Sequence, residues 1–235
     1  MKKNQPAGRL SPAKKGGRLA RLVKTRPQSR LKRGGLLAAA ALLLLAAVLV
    51  VWQVLTPAPV VLPEVTRDYN QAILGSATAT EAQALAWARS NKASQTFRSW
   101  ISLYWQLGES YGVNPVLAYA QAGLETNFGH FGGVLDVSYY NPCGLKTAAG
   151  GDDDDAAAHQ RFASWEDGIR AQFEHLALYA GQTGFPLANP VDPRHYAYLA
   201  GSARTVGLVA ETWASDPDYA EKWTYLIDRL EVTPG

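Results

Sequence analysis

The stretch that decides the fold is residues 114–133, which read Asn114-Pro-Val-Leu-Ala-Tyr-Ala-Gln-Ala-Gly-Leu-Glu-Thr-Asn-Phe-Gly-His-Phe-Gly-Gly133. Asn114 is a favourable N-cap, and Pro115 suits the first helical position, where a backbone N–H is not needed. Apolar residues recur at helical spacing up to Leu124, and glycines and aromatic residues follow Glu125. The stretch therefore predicts a packed helix that ends near Glu125 and then turns sharply.

Glu125 occupies the last turn of this predicted helix. The negative end of the helix dipole disfavours a second negative charge there, and burial beside the neighbouring aromatic residues would raise its pKa further. A carboxylic acid that stays protonated near neutral pH can protonate a glycosidic oxygen. Glu125 is therefore a candidate general acid, and the alternative is a solvated glutamate at a helix end.

Two segments near the start of the chain predict a membrane anchor. Residues 1–33 contain twelve Lys or Arg and no Asp or Glu, which predicts a disordered basic tail. Residues 34–55 are mostly apolar and long enough to cross a hydrocarbon core of about 30 Å, and the basic flank predicts a cytoplasmic N-terminus. A cleaved signal peptide is the alternative, but the apolar run is long for one and no small-x-small cleavage site follows it.

The part of the chain beyond the anchor has the size and charge of one acidic domain. Residues 56–79 contain Pro57, Pro59 and Pro63 and predict a stalk, and residues 80–235 predict one catalytic domain. Outside the basic tail, eleven basic residues stand against all twenty acidic ones, which argues against nucleic acid as a ligand.

Several helix starts are marked within this domain. We expect helices after the capping-box patterns Thr80-Glu-Ala-Gln83 and Ser164-Trp-Glu-Asp167, after Asp192-Pro193 and Asp216-Pro217, and over residues 95–111. Residues 131–162 are rich in Gly, Tyr, Asn and Asp without a helical period, which predicts a loop or short hairpin. The sequence therefore predicts an α+β, predominantly α fold with a small irregular or β lobe, preceded by one transmembrane helix. A cleft is expected where the lobe joins the helix that carries Glu125.

Four segments of the domain form a recognisable series. They are Ala120-Gln-Ala-Gly-Leu-Glu-Thr-Asn-Phe-Gly129, similar to an AQxxxETxxG acid motif, Asn141-Pro-Cys-Gly-Leu-Lys146, similar to NxFGIK, Phe162-Ala-Ser-Trp-Glu-Asp-Gly168, and Trp213-Ala-Ser-Asp-Pro-Asp-Tyr-Ala-Glu-Lys222, similar to YATDPxYAxK. In this order they resemble the peptidoglycan glucosaminidases of glycoside hydrolase family 73, the type found in flagellar rod hydrolases and autolysins. The resemblance extends over about residues 80–231.

The resemblance implies a lysozyme-like fold and hydrolysis of the β-1,4 bond after N-acetylglucosamine in the glycan strands of peptidoglycan, with Glu125 as the catalytic acid. It implies no metal and no organic cofactor. Together with the predicted anchor at residues 34–55, it implies a single-pass protein of the bacterial cell membrane. The catalytic domain is then expected outside, facing the cell wall.

The second acidic residue of the family has no clear counterpart, because the interval from Lys146 to Phe162 is short and holds Asp152-Asp-Asp-Asp155. Asp154 and Asp155 are the candidates for orienting water or the acetamido group of the substrate. An inverting reaction needs a base carboxylate roughly 6.5–9.5 Å from the acid, whereas acetamido participation needs none. The alternative is a solvated acidic loop, and four consecutive Asp do not have EF-hand calcium spacing.

Aromatic residues are the other candidates for the site, because sugars present flat C–H faces that suit aromatic rings. The substrate-binding candidates are Phe128, Tyr140, Tyr196, Trp213 and Tyr219, and the last two lie in a segment of the resemblance. For each of them, packing in the core is the alternative.

Cys143 is the single cysteine, so the chain can form no internal disulfide. A cysteine peptidase would also act on cell walls, but none of the four histidines lies in a recognisable peptidase context. Cys143 is therefore interpreted as a small apolar filler, and the histidines do not form a zinc motif.

Two alternative functions share these features. A lytic transglycosylase or muramidase would keep the fold and Glu125 but leave an anhydro or reducing muramic acid end. A non-catalytic peptidoglycan-binding scaffold would have no need of a proton donor. The ends of the cleaved glycan distinguish among these functions.

Overall fold

The computed structural model describes residues 69–235. The basic tail predicted for residues 1–33, the anchor predicted for residues 34–55 and the first part of the stalk lie outside these described residues. Across residues 69–235 the structure contains no helix that is both long enough and apolar enough to span a membrane.

Seven α-helices form the body of the described domain. They are α1 (Glu81–Ser90), α2 (Gln95–Ser99), α3 (Ile101–Tyr111), α4 (Pro115–Glu125), α5 (Trp165–Ala180), α6 (Val206–Trp213) and α7 (Tyr219–Glu231), with short 3-10 helices at Val137–Tyr139, Ala156–Ala158 and Ala197–Leu199. Within residues 69–235, β pairing is limited to isolated bridges, one of which joins Lys146 to His159 in the lobe. The predominantly helical architecture is confirmed for the described domain, whereas the β part of the predicted lobe amounts to that one bridge.

The predicted caps of α1 and α5 are present. Thr80 Oγ1 accepts a hydrogen bond from the N–H of Gln83, and the Gln83 side chain accepts one from the N–H of Thr80, which completes a capping box. Ser164 Oγ accepts from the N–H of Asp167 at the start of α5. Side chains thereby satisfy N–H groups that a helix start leaves unpaired.

Of the helices predicted from local patterns, one is divided in two in the structure and another is absent. The helix expected over residues 95–111 is interrupted at Trp100, because the N–H of Trp100 bonds back to Phe97 O and its ring packs against Trp165. Asp192-Pro193 opens no α-helix: Asp192 Oδ1 accepts from the N–H of Arg194, but only the short 3-10 helix Ala197–Leu199 follows.

The C-terminal third contains one helix that the sequence patterns did not indicate. Thr205 caps this helix, α6, by accepting from the N–H of Leu208. The pattern Asp216-Pro217 is followed by α7, which begins at Tyr219 after the Asp216 carboxylate accepts from the N–H of Asp218. The helix start expected there is therefore present.

Helix α4 is the central element of the core. Nine of its eleven residues, from Pro115 to Gly123, are buried, and α3, α5 and α7 pack around it. Large side chains that are almost fully buried surround it, among them Trp87, Tyr104, Phe173 and Trp223. Burial of large apolar side chains stabilises a fold by about 1.5–3 kcal/mol each. Helix α4 therefore presents its last residue, Glu125, from a firmly packed element.

The packed domain begins before residue 80, where the sequence placed the end of the stalk. Ile73 is fully buried, its N–H donates to Arg204 O, and its C=O accepts from the N–H of Asn114, both at 3.0 Å. Ala72 and Leu74 form bridges on either side of it. The apolar run of residues 72–74 thus packs against the domain.

The lobe between α4 and α5 is irregular, as predicted, and Asn141 ties it together. Asn141 Nδ2 donates to Leu145 O at 2.8 Å and Gln160 O at 2.9 Å, while its Oδ1 accepts from the N–H of Leu145 at 3.1 Å. Gly168, in the first turn of α5, lies so near the lobe that a Cβ there would be 1.8 Å from Tyr140 O. This close approach fixes the lobe against the helical body.

Candidate active site

Glu125 is the last residue of α4 and lines a cleft between the lobe and the helical body. Its Oε1 accepts two hydrogen bonds, one from Trp213 Nε1 at 3.1 Å and one from the hydroxyl of Tyr219. Trp213 ends α6 and Tyr219 begins α7, so two helix ends converge on one carboxyl oxygen. These contacts hold the carboxyl group in one orientation.

The carboxyl group of Glu125 is a weak acid in this setting. Burial raises its pKa to about 7, although the hydrogen bonds from Tyr219 and Trp213 act to lower it. The negative charge of Asp153 acts in the same direction as burial. A carboxyl group with this pKa is protonated in a large fraction of molecules at neutral pH and can donate a proton to a bound oxygen.

Tyr219 is the last donor in a buried chain of hydrogen bonds. Tyr104 OH donates to Gln172 Oε1 at 2.6 Å, and Gln172 Nε2 donates to Ala118 O at 3.0 Å and to Gln121 Oε1 at 2.9 Å. Gln121 Nε2 then donates to the oxygen of Tyr219 at 3.3 Å. The four side chains of this donor chain are all buried.

The backbone carbonyl of Ala118 determines which groups donate and which accept along the donor chain. A carbonyl oxygen can only accept, so Ala118 O fixes the amide orientation of Gln172, which in turn fixes that of Gln121. Because the oxygen of Tyr219 accepts from Gln121, its single proton goes to Glu125. Oε1 of Glu125 accepts from two donors, so the carboxylic proton resides on Oε2.

Gly144 keeps space beside Oε2 of Glu125. Its φ of +71° lies in the left-handed region, and a Cβ built there would be 3.6 Å from Oε2. Glycine at this position lets the backbone turn next to the acid and leaves room for a substrate oxygen.

The cleft in front of Glu125 has a volume of about 690 Å³. Ligand sites typically occupy about 300–1,000 Å³ and combine apolar walls with a few polar groups. The charged and titratable residues that share this lining include Lys146, Asp153, His159, His175, Arg194 and Tyr219. The cleft is thus large enough for a short stretch of a glycan and rich in hydrogen-bonding groups.

Asp153 is the member of the acidic run that lines the cleft. It pairs with Lys146 Nζ at 2.6 Å, and this hydrogen-bonded ammonium lowers the pKa of the Asp153 carboxyl group. Asp154 and Asp155, the two predicted catalytic candidates, are not among the lining residues. Asp155 caps the following 3-10 helix by accepting from the N–H of Ala157. The acidic run therefore contributes Asp153 to the cleft lining, whereas the predicted candidates Asp154 and Asp155 lie outside it.

Residues 101–232, more than half of the chain, match the family model described as glucosaminidase, mannosyl-glycoprotein endo-beta-N-acetylglucosaminidase. The chain belongs to this family. The matched range contains Glu125, its donors Trp213 and Tyr219, and the lobe. Membership makes the described domain a glycoside hydrolase domain of the endo-β-N-acetylglucosaminidase type.

A protein similar to this chain occurs in Borreliella burgdorferi (strain ATCC 35210 / DSM 4680 / CIP 102532 / B31), where it is described as an uncharacterized protein. The two are 33% identical over 111 residues, which cover 47% of this chain and 52% of the relative. The chain thus spans about half the length of the curated relative that it matches. No solved structure matches the chain significantly.

Of the five aromatic candidates, Trp213 and Tyr219 line the glucosaminidase cleft. Phe128 packs in the core, with its ring centroid 5.2 Å from that of Trp87, and lines a separate groove. The structure therefore brings two predicted aromatic residues to the acid and directs a third elsewhere.

Tyr140 and Tyr196 also lie outside the lining of the glucosaminidase cleft. The ring of Tyr140 packs edge-on against Trp165, with centroids 5.4 Å apart. The hydroxyl of Tyr196 donates to Ala148 O at 2.8 Å, and its ring stacks on Tyr198. Tyr140 thus packs the lobe against the start of α5, and Tyr196 joins the segment after α5 to the lobe.

Cys143 lies in the glucosaminidase cleft as a buried free thiol. Burial raises the pKa of its thiol, and the nearby carboxyl group of Glu125 acts in the same direction. A thiol with a raised pKa is a poor nucleophile, which agrees with the interpretation of Cys143 as a filler. Residues 69–235 contain no group of three or more His, Cys, Asp and Glu placed to hold a metal ion.

Sequence reasoning missed the residues behind the acid. Gln121 lies one helical turn before Glu125, and this i, i+4 spacing is a signal that identifies it as a neighbour. Gln172 has no comparable signal, because its partners come from other helices. The same holds for His175 and Asp192, a buried pair beside the cleft, with His175 Nδ1 2.7 Å from Asp192 Oδ2.

Proposed function

We propose that this protein is a membrane-anchored glucosaminidase that hydrolyses the β-1,4 bond after N-acetylglucosamine in peptidoglycan, with Glu125 as the general acid. The observation that carries the proposal is the half-buried carboxyl group of Glu125, whose pKa is raised to about 7 and which lines the cleft of a glucosaminidase-family domain. A proton donor of this kind is what separates the proposal from a binding scaffold.

In the proposed reaction, the proton on Oε2 of Glu125 passes to the glycosidic oxygen as the bond from that oxygen to C1 breaks. The electron pair of the bond stays on the departing oxygen, and Glu125 becomes a carboxylate. Trp213 Nε1 and Tyr219 OH already donate to Oε1, so they stabilise the new charge without reorganising.

The second half of the reaction adds water to C1 and releases a new reducing N-acetylglucosamine end. Asp153 and Asp216 both line the cleft with Glu125, and Asp153 is the one whose charge acts on the acid. Its ion pair with Lys146 lowers its pKa and makes it a weak base. This weakness favours participation by the acetamido group of the substrate over a carboxylate base.

The anchored location rests on residues 34–55, which are long and apolar enough for one membrane crossing, and on the basic residues before them. Such an anchor would hold the domain on the outer side of the membrane, beside the cell wall. The acidic balance beyond the basic tail suits a glycan ligand better than a nucleic acid.

Digestion of purified peptidoglycan by the full chain in mild detergent, beside the Glu125→Gln variant, tests this function. We expect reducing N-acetylglucosamine ends by mass spectrometry and a rate about 10²–10⁴-fold lower in the variant. Reducing or anhydro muramic acid ends would assign a muramidase or lytic transglycosylase reaction instead. Glycan binding without cleavage by the wild-type protein would assign a scaffold function.

A further inference from the structure

A second buried polar pair borders the cleft. His175, on α5, is 3% exposed and lines the cleft together with Glu125 and Trp213. Its Nδ1 lies 2.7 Å from Oδ2 of Asp192, which is 2% exposed. This pair has no part in the proton donation by Glu125.

The carboxylate of Asp192 determines which nitrogen of His175 carries the proton. Oδ1 of Asp192 accepts from the N–H of Arg194 at 2.8 Å, and the N–H of Asp192 donates to Glu174 at 2.9 Å, so the carboxylate is held in place. A carboxylate can only accept, and the proton of the neutral imidazole therefore sits on Nδ1. Nε2 of His175 is left with its lone pair.

Nε2 is the nitrogen of His175 that has no recorded partner in the described domain. Among residues 69–235 the structure gives this nitrogen no hydrogen-bond partner, while Nδ1 has Asp192. His175 itself lines the cleft, so its unpaired Nε2 is the nitrogen available to a group bound there. The other neighbours of the ring are Tyr179 and Trp213, both edge-on, with centroids 4.4 and 5.4 Å away.

The indole of Trp213 contacts both His175 and Glu125. Its Nε1 donates to Glu125 Oε1 at 3.1 Å, and its ring meets the imidazole at a centroid distance of 5.4 Å. The same aromatic ring therefore contacts both the proton donor and the lone-pair acceptor.

We propose that His175 is the proton acceptor of this cleft, in place of a second carboxylate. The inference rests on the proposed function above. As the glycosidic bond breaks and its oxygen takes the proton of Glu125, Nε2 takes one proton from the group whose oxygen bonds to C1. That group is either the attacking water, which gives up an O–H proton, or the acetamido group, which gives up its N–H proton. Asp192 stabilises the imidazolium that forms, as the buried Asp does in Ser-His-Asp enzymes.

Both routes return the site to its starting state. When water attacks directly, the imidazolium loses its proton to solvent and Glu125 regains one from solvent. When the acetamido oxygen attacks, water then opens the cyclic intermediate at C1, Glu125 takes a proton from that water, and the imidazolium returns its proton to the acetamido nitrogen.

His175→Asn is the first test, because the amide N–H of asparagine can keep the hydrogen bond to Asp192 while no basic atom remains. We expect kcat for peptidoglycan cleavage by the full chain to fall about 10²–10⁴-fold, with KM little changed and the near-UV circular dichroism of the folded protein retained. His130→Ala is the matched control: its ring is exposed, meets Lys92 O and does not line the cleft. Its activity should equal that of the wild-type protein.

Chemical rescue separates a base from a packing group. His175→Ala vacates the volume of the ring, and we expect added imidazole to restore activity in a saturable way. Pyrazole has the same size but is a far weaker base, and it should not restore activity. Equal rescue by both rings would show that the ring only supports Trp213 and would overturn the inference. A folded His175→Asn protein that keeps more than about a tenth of wild-type kcat would do the same.

The anomer formed first identifies the source of the proton. If NMR shows the α-anomer first, the proton that His175 accepts comes from the attacking water. If the β-anomer appears first, that proton comes from the acetamido N–H. Both routes need His175 as the proton acceptor. A wild-type protein that releases no reducing N-acetylglucosamine would refute the proposed function itself. Release that continues unchanged in His175→Asn refutes the role of His175 alone.

Discussion

The hydroxyl of Tyr219 donates to Oε1 of Glu125, and it can do nothing else because Gln121 already donates to the phenol oxygen. One oxygen of the carboxyl group is therefore occupied by donors, and Oε2 is the one that faces the backbone of Gly144. The site fixes the position of its transferable proton before a substrate binds. Such preorganisation is the usual means by which an enzyme lowers a barrier electrostatically.

Peptidoglycan cleavage should decline as the pH rises through the pKa of Glu125, about 7. The acid is active only when protonated, so kcat/KM should fall roughly tenfold per pH unit well above that value. Initial rates of reducing-end release across a pH series measure this. A rate that stays level far into the alkaline range would remove Glu125 from the acid role.

The same group should make stability depend on pH in a defined direction. The pKa of Glu125 is raised from 4.5 to about 7 in the folded state, so its stabilising contribution is complete below the unfolded value and is lost as the pH rises through about 7. The loss amounts to roughly 3 kcal/mol at most. Glu125→Gln, whose amide resembles the protonated acid, should therefore resist urea better than the wild-type protein at alkaline pH only.

Glu109→Gln provides the control for this stability measurement, because Glu109 is exposed on α3. Its urea midpoint should follow that of the wild-type protein at both acidic and alkaline pH. Equal midpoints for Glu125→Gln and the wild-type protein at alkaline pH would contradict the raised pKa.

Tyr104→Phe should destabilise the domain without touching the cleft. The substitution leaves Gln172 Oε1 buried without a donor, which costs about 1–3 kcal/mol. Urea unfolding measures the change. Tyr198→Phe, at a residue that is 77% exposed, removes a hydroxyl of the same kind and should have almost no effect. Similar losses in the two variants would mean that the donor chain contributes nothing.

Gly144→Ala should reduce kcat by at least about tenfold, because the added methyl group lies 3.6 Å from Oε2, where the substrate oxygen must approach. The substitution should also destabilise the fold by about 1–2 kcal/mol, because alanine is strained at the positive φ of residue 144. Gly184→Ala separates the two causes, since its φ is +88° and its Cβ would meet no atom within 4 Å. That variant should lose stability and keep its activity.

Asp153→Asn should move the alkaline limb of the pH profile to lower pH, because the charge of Asp153 raises the pKa of Glu125. The shift should be small, since the Asp153 side chain is 81% exposed and screened by solvent. Asp152→Asn, in the same run but outside the cleft lining, is the comparison. A shift toward higher pH would show that Asp153 does not act on the acid through its charge.

Local chemistry explains which parts of this domain could be read from sequence. The cap at Asn114, the proline after it and the apolar spacing of α4 are short-range signals, and they located both the central helix and Glu125. The capping box at Thr80 is also a short-range signal, and it correctly predicted the start of α1. The pattern Asp192-Pro193 opens no α-helix although Asp192 Oδ1 accepts from the N–H of Arg194, because a local cap alone does not make the following residues helical.

Residues whose roles depend on distant partners could not be found in this way. Gln172 lies among the buried residues of α5, and only the docking of α4 shows that it orients Gln121. Within the acidic run, Asp153 lines the cleft, whereas Asp155 caps the 3-10 helix that follows. Four identical neighbours carry no sequence signal for that choice.

The hydrogen bonds from Trp213 and Tyr219 to Glu125 span 88 and 94 residues of chain. In an unfolded chain Glu125 is an ordinary glutamate, already ionised in neutral surroundings and unable to act as an acid. Folding brings these two donors to the carboxyl group, and the accompanying burial raises its pKa to about 7. If the proposed function holds, an incompletely folded copy keeps Glu125 as a carboxylate and lacks the proton that cleavage requires.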